Sequence, residues 1–302
     1  MPSALVIGGV SFNIMVYLDR LPEPVPHSIF SRGFHETIGS TGAGKALNLC
    51  KLGFDTTLHA PIGDDANGRW VASYLEAAGV RFLYDIDPMG TQRHVNLMDA
   101  AGQRVSIFIV PGTFEPAFDR ARLAALVPGS DYVLLNISNY CRQLVPDIQA
   151  AGKAIWCDLH DYDGTNPYHH DFITAADYLL LSSDALPGYR DFMARMIAQG
   201  KQLVVCTHGA RGSTALTAAG EWIETPIIPK YAPVDANGAG DSFFVGMLYG
   251  HAQGLGVRQC LRLGTIASGL CVTTHDLAFP GLSPALLASE YAAAYGEPLN
   301  LK

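Results

Sequence analysis

Nine consecutive residues, Val234-Asp235-Ala236-Asn237-Gly238-Ala239-Gly240-Asp241-Ser242, run small side chains into a carboxylate that opens an apolar segment, residues 243–249. Glycines let the main chain approach a guest closely and take dihedrals closed to other residues. The first N–H groups of a helix have no internal partner and sit at the positive end of its dipole, so an oxyanion or phosphate fits there. A carboxylate in that place is the odd member, because it repels bound phosphate. Asp241 makes chemical sense if it takes a proton from a hydroxyl about to attack phosphorus. On that reading Asp241 is a general base, and Gly238, Ala239 and Gly240 supply N–H groups that stabilise charge on the transferred group. The alternative is a Gly-rich turn in which Asp241 caps a helix, a place that Asp favours.

A second stretch, Gly39-Ser40-Thr41-Gly42-Ala43-Gly44-Lys45-Ala46, comes within one residue of the phosphate-binding loop G-x-x-x-x-G-K-[S/T]. Ala46 lacks the hydroxyl that would ligate Mg²⁺, and residues 33–38 do not read as a buried strand. We treat this as a decoy, with Lys45 expected on a helix surface. A P-loop NTPase remains the third-ranked function. The acidic cluster Asp158-Leu159-His160-Asp161-Tyr162-Asp163, followed by His169-His170, has no standard zinc spacing.

The elements that must position these residues alternate. Short apolar runs at residues 4–7, 57–60, 132–135, 154–157, 178–181 and 203–207 read as buried strands. Helical patterns fall near residues 43–52, 67–78, 119–126, 141–151, 185–199, 238–252 and 258–273. Such alternation predicts an α/β fold with a mainly parallel sheet covered by helices on both faces. Ligands then bind beyond the strand C-terminal ends, where the Gly-rich turns lie. Residues 27–38 and 92–109 break the rhythm and read as antiparallel strands, the second with a hairpin turn at Ala100-Ala101-Gly102.

Composition narrows the function classes. With 49% hydrophobic and 16% charged residues, the 302-residue chain suits one large domain with a buried core, here taken as residues 1–302. A net charge of −8 without a basic run argues against nucleic-acid binding. No apolar stretch is long enough to span a membrane. Six scattered cysteines without a CxxC pair, and an N-terminus that reads as a strand and not a leader, predict free thiols and a cytoplasmic protein.

Taken together, these motifs resemble the ribokinase (PfkB) family of carbohydrate and nucleoside kinases. Residues 235–241 are similar to its C-terminal signature, Asp-Thr-x-Gly-Ala-Gly-Asp, with Ala236 in place of Thr. Val6-Ile7-Gly8-Gly9 with Asn13 and Leu21-Pro22, then residues 39–53 and 60–68, and finally Thr207-His208-Gly209-Ala210-Arg211-Gly212 follow in the family's order. The resemblance spans residues 4–285. It implies a ribokinase-like fold with a small β lid, from segments at about 11–38 and 91–110. It implies ATP and Mg²⁺ as cofactors, a sugar or nucleoside as substrate, and a homodimer formed through the lid. Thr207, Gly209, Gly212 and Asn237 are implied for nucleotide binding, and Ser11, Asn13, Gly42, Gly44 and Asn48 for the substrate. Asp158 is implied near the active site. Asp235 is implied as a ligand of a monovalent cation such as K⁺, and Asp184 stands in the region of a metal-ordering Asn-x-x-Glu motif. The chain departs from the family in three places. Gly44 replaces a sugar-binding Asn, the Asn-x-x-Glu motif is missing, and residues 272–276 lack the usual basic-then-Gly pattern. These departures leave open a ribokinase-like binding protein with weak catalysis.

Overall fold

The computed structural model describes residues 1–100, 103–299 and 301. Its strands are β1 (Ser3–Ile7), β2 (Ser11–Tyr17), β3 (Gly33–Gly39), β4 (Asp55–Ile62), β5 (Arg81–Ile86), β6 (Arg93–Met98), β7 (Arg104–Val110), β8 (Tyr132–Leu135), β9 (Ile155–Asp158), β10 (Tyr178–Ser182), β11 (Leu203–Thr207), β12 (Ser213–Thr217) and β13 (Trp222–Thr225). Its helices are α1 (Thr41–Lys51), α2 (Ala66–Ala77), α3 (Arg120–Ala124), α4 (Val145–Ala150), α5 (His170–Ala175), α6 (Tyr189–Ala198), α7 (Ala239–Ala252), α8 (Val257–Cys271) and α9 (Pro284–Tyr295).

Alternation of side chains along a strand accounts for the layering. In β1, Ala4 and Val6 enter one buried cluster while Leu5 and Ile7 enter another on the opposite face. The first cluster takes in α1, α7, α8 and α9, the second α4, α5 and α6. Nine strands form the central sheet in the order β13-β12-β11-β10-β9-β8-β1-β4-β5. It is parallel from β11 to β5; β12 pairs antiparallel with both β11 and the edge strand β13. No helix among the described residues is long and apolar enough to cross a membrane.

A second sheet, β3-β2-β6-β7, stands over the first. The strand expected from residue 27 begins only at Gly33, and the residues before it are exposed and irregular. β6 lies parallel to β2, in the middle of this sheet, and pairs with β7 in antiparallel fashion. Of the expected hairpin turn, Ala101 and Gly102 lie outside the described residues. The helix expected over residues 141–151 opens as a 3-10 turn, Asn139–Leu144, because Pro146 cannot donate into a preceding helical turn and so marks the start of α4.

α7 is buried on every side from Asp241 to Gly250, which marks a core helix and not a surface one. Its tightest neighbour is α8. A Cβ on Gly246 would come within 2.7 Å of the Leu263 carbonyl oxygen, and one on Gly264 within 2.7 Å of the Phe243 carbonyl oxygen. Main chains therefore meet where side chains usually would. Gly264→Val is expected to lower unfolding stability by about 1–3 kcal/mol through overpacking, read as a lower urea midpoint at unchanged slope.

Candidate active site

Parallel strands leave their C-terminal ends open, and here those ends meet two helix N-termini around one cavity of about 590 Å³. Gly8 and Gly9 follow β1, Asn136 follows β8, and Asp158 and His160 close β9. Ser40 and Thr41 open α1; Gly238, Gly240 and Asp241 open α7. The smaller sheet, expected as the lid, adds Asn13 from β2, His94 and Asn96 from β6, and Arg104, Ser106 and Phe108 from β7.

Gly238 is the N-cap of α7, with φ 77°, and a Cβ there would strike the main chain of Leu277. Only glycine combines that dihedral with that contact. No side chain caps the helix, and Gly238, Gly240 and Asp241 line the cavity; Ala239, expected with them, lies outside the lining and its N–H donates to the Ala236 carbonyl at 3.3 Å. Asp241 is 8% exposed.

Lys45 reaches Asp241 from below. Expected on a surface, it is 1% exposed, and its Nζ lies 2.6 Å from Asp241 Oδ1 and 3.2 Å from Asp158 Oδ2. A buried ammonium is tolerated only when paired. The partners come from residues 113 and 196 positions away, which local periodicity cannot reveal. Burial works to lower the Lys45 proton affinity, but the two carboxylates outweigh it and hold it above the usual lysine range. Burial also acts to raise Asp158, yet His160 and Lys45 together bring it below the ordinary aspartate value. Asp241 ends above that value, because burial there exceeds the pull of Lys45. The two acids share one lysine and still part company. Asp158 has in addition the His160 main-chain N–H at 3.0 Å and imidazole at 3.4 Å.

The remaining expected residues divide by position. Asn13 lines the cavity; Ser11 lies buried behind it and donates to its Oδ1 at 2.7 Å. Gly39 leaves room for the Asn13 carboxamide, and Gly42 packs on the main chain of Gly9. Gly44 lies against Asp241, where an added Cβ would come within 2.9 Å of its Cγ. Asn48, expected to face the cleft, is fully buried instead; it donates to the Gly44 carbonyl and accepts from Ser242 Oγ, so it ties α1 to α7. Thr207 ends β11, and Gly209 and Gly212 hold positive φ in the turn that follows; all three lie outside the lining of the main cavity.

The two residues expected to meet a cation lie in different surroundings. Asp235 is buried; its Oδ1 accepts from the Asn237 N–H and its Oδ2 from the Tyr17 hydroxyl, with His275 Nδ1 3.7 Å away. Each oxygen thus has one protein partner and keeps a further lone pair. Asp184 is exposed and outside the cavity lining. Among the described residues no cluster of three His, Cys, Asp or Glu side chains is placed to hold a metal.

Sequence reasoning passed over Arg104. It alternates with Ser106 and Phe108 on the cavity face of β7 and donates to Asn237 Oδ1 at 3.0 Å, joining lid to α7 turn. The period-two pattern was the available signal. It passed over Ser40 as well. This residue is the N-cap of α1 at φ 72° and ψ 154°, a region nearly reserved for glycine. The hydroxymethyl group is kept there at a cost in strain, lining the cavity. Ser40→Gly is expected to raise stability by about 1 kcal/mol, seen as a higher Tm, while weakening acceptor binding.

The model of the pfkB family carbohydrate kinases matches residues 172–284. Acarbose 7(IV)-phosphotransferase of Actinoplanes sp. (strain ATCC 31044 / CBS 674.73 / SE50/110) is 32% identical over 275 residues, covering 89% of this chain and 91% of its own. The solved structure of the microbiome-derived acarbose kinase Mak1 superposes with a TM-score of 0.88 at 31% identity, covering 97% of this chain and 99% of the other. Ribokinase of Arabidopsis thaliana, solved with ribose and ATP, superposes with a TM-score of 0.80 at 22% identity over 96% of this chain and 98% of that one, a likeness of fold. The fold is ribokinase-like: a large, mainly parallel sheet flanked by helices, with a smaller sheet beside it. This chain belongs to the pfkB family of carbohydrate kinases.

Proposed function

We propose that this kinase moves the terminal phosphoryl group of ATP to a hydroxyl of a saccharide, with Asp241 as general base. The observation that carries the reading is the placement of Asp241 at the uncapped N-terminus of α7, on the wall of a cavity rich in neutral amides. Asn13, Gln92, Asn96, Asn136 and Asn139 line that cavity. A carboxamide both donates and accepts, as each hydroxyl of a sugar does. A similar relative is named for acarbose, which extends the candidate acceptors to saccharides of more than one ring. Nucleosides form the second reading, favoured by Phe108, which lines the cavity and packs on His94 with ring centroids 4.0 Å apart.

The chemistry is mostly placement and electrostatics. Asp241 accepts the hydroxyl proton as that oxygen bonds to phosphorus and the bond to ADP breaks. The N–H groups of Gly238 and Gly240, both on the cavity wall, take up charge on the transferred oxygens, and Arg104 brings a cation from the smaller sheet. Thr207, Gly209, Gly212 and Asn237 would hold the nucleotide. Mg²⁺ would arrive with its phosphates and keep much of its water, since so few carboxylates are free to hold it.

ADP release from Mg·ATP, measured against acarbose, mono- and disaccharides, sugar acids and nucleosides, tests the reading. Turnover confined to saccharides is expected; turnover on none of these sinks it. On the active acceptor, Asp241→Asn should cut kcat by about 10²–10⁴ with ATP affinity retained. A base must be ionised to act, and burial holds Asp241 above the ordinary aspartate value. The acid limb of kcat/KM is therefore expected above that value, with activity lost as pH falls through it.

A further inference from the structure

Lys45 belongs to no role described so far, yet it is among the largest fully buried side chains of the molecule. It enters from α1, with its Nζ 5.0 Å from the ring centroid of Phe244. It does not line the cavity, so the ring and the two carboxylates are its surroundings. The groups facing Asp241 are few. Lys45 comes from α1, Asp158 and His160 come from the end of β9, and the Cys271 thiol comes from α8, pushed by burial up to about 11 and hence neutral. One positive charge is thus shared by two acids. One acid stands at the start of α7, the other on the far side of the lysine.

We infer that Lys45 is a positioning residue for Asp241, holding its Oδ1 so that one carboxylate oxygen is committed, and that Asp158 sets the strength of that base by competing for the same ammonium. The inference rests on the reading of Asp241 as general base. Gly44 belongs to the same device. Without a side chain it lets the Asp241 carboxylate lie on the α1 main chain, one residue before the lysine that anchors it. The device predicts effects of opposite sign. Removing the ammonium leaves a buried carboxylate without its counter-charge and should raise its proton affinity. Neutralising Asp158 gives Asp241 the whole of the lysine and should lower it. A merely structural role has no reason to divide the two variants in that way.

The test needs no acceptor. Protein carrying ¹³Cγ-aspartate is titrated, with the Asp241 resonance assigned by its loss in Asp241→Asn. Against the unaltered chain, Lys45→Met should raise the Asp241 proton affinity at least about tenfold, and Asp158→Asn should lower it measurably. The pair is repeated on His160→Gln, which removes the imidazole beside Asp158. Lys45→Arg keeps the charge and should return the titration toward that of the unaltered chain. If Lys45→Met does not fold, Asp158→Asn, which is nearly isosteric, and Lys45→Arg carry the test. Shifts of the same sign in both variants, or none beyond twofold, overturn the inference. So does a loss of ATP affinity in Lys45→Met, which would make Lys45 a phosphate contact. Where an acceptor is known, the acid limb of kcat/KM should move with the resonance. If the resonance moves as expected and the limb stays, the link between Lys45 and Asp241 stands and the base assignment falls.

Discussion

One ammonium group buried between two carboxylates joins three separate parts of the chain at the C-terminal edge of the parallel strands. α1 brings Lys45, the end of β9 brings Asp158, and the first turn of α7 brings Asp241. Removing one partner from such a group leaves an uncompensated charge in a medium that solvates it poorly, at a cost of about 3–5 kcal/mol. The helices are therefore held in register by electrostatics as well as by packing. Asn48 strengthens the link by joining the Gly44 carbonyl to Ser242. The glycines follow from the same constraint. Gly42 lets α1 close on Gly9, and Gly44 lets it close on Asp241.

Much of the fold was legible because its physics is local. The apolar runs of β1, β8, β9, β10 and β11 are buried on both faces and stand out as unbroken segments. β5 was not legible: at the sheet edge it alternates buried Phe82 with exposed neighbours and reads as loop. β12 and β13 were missed for a related reason, since Ser213, Thr214 and Thr217 look polar while lying in a sheet. α9 was missed because its alanine-rich stretch shows little periodicity.

The site divides along the same line. The place of Asp241 and Gly238 at a helix start could be read from the sequence because one turn contains both the acid and the left-handed glycine. Lys45 could not, because its partners come from two distant elements. It was assigned to a surface because most lysines belong there. Asn48 failed in the opposite sense. An amide one turn into α1 looked free to face a ligand, and tertiary structure gave both its ends to the interior. Asp235 was read from its motif alone, without the Tyr17 hydroxyl that the lid delivers to it.

Gly44 also bears on how such a site can diverge. An asparagine at this place, as the family resemblance implies, would present a side chain where this protein has none. Here that space lies against Asp241, whose carboxylate Lys45 holds down. Restoring the amide alone would press it into the acid, and removing the lysine alone would strand a buried charge. The two positions are therefore epistatic. A substitution at either position would change the cost of a substitution at the other, so the effects of the two together should not add.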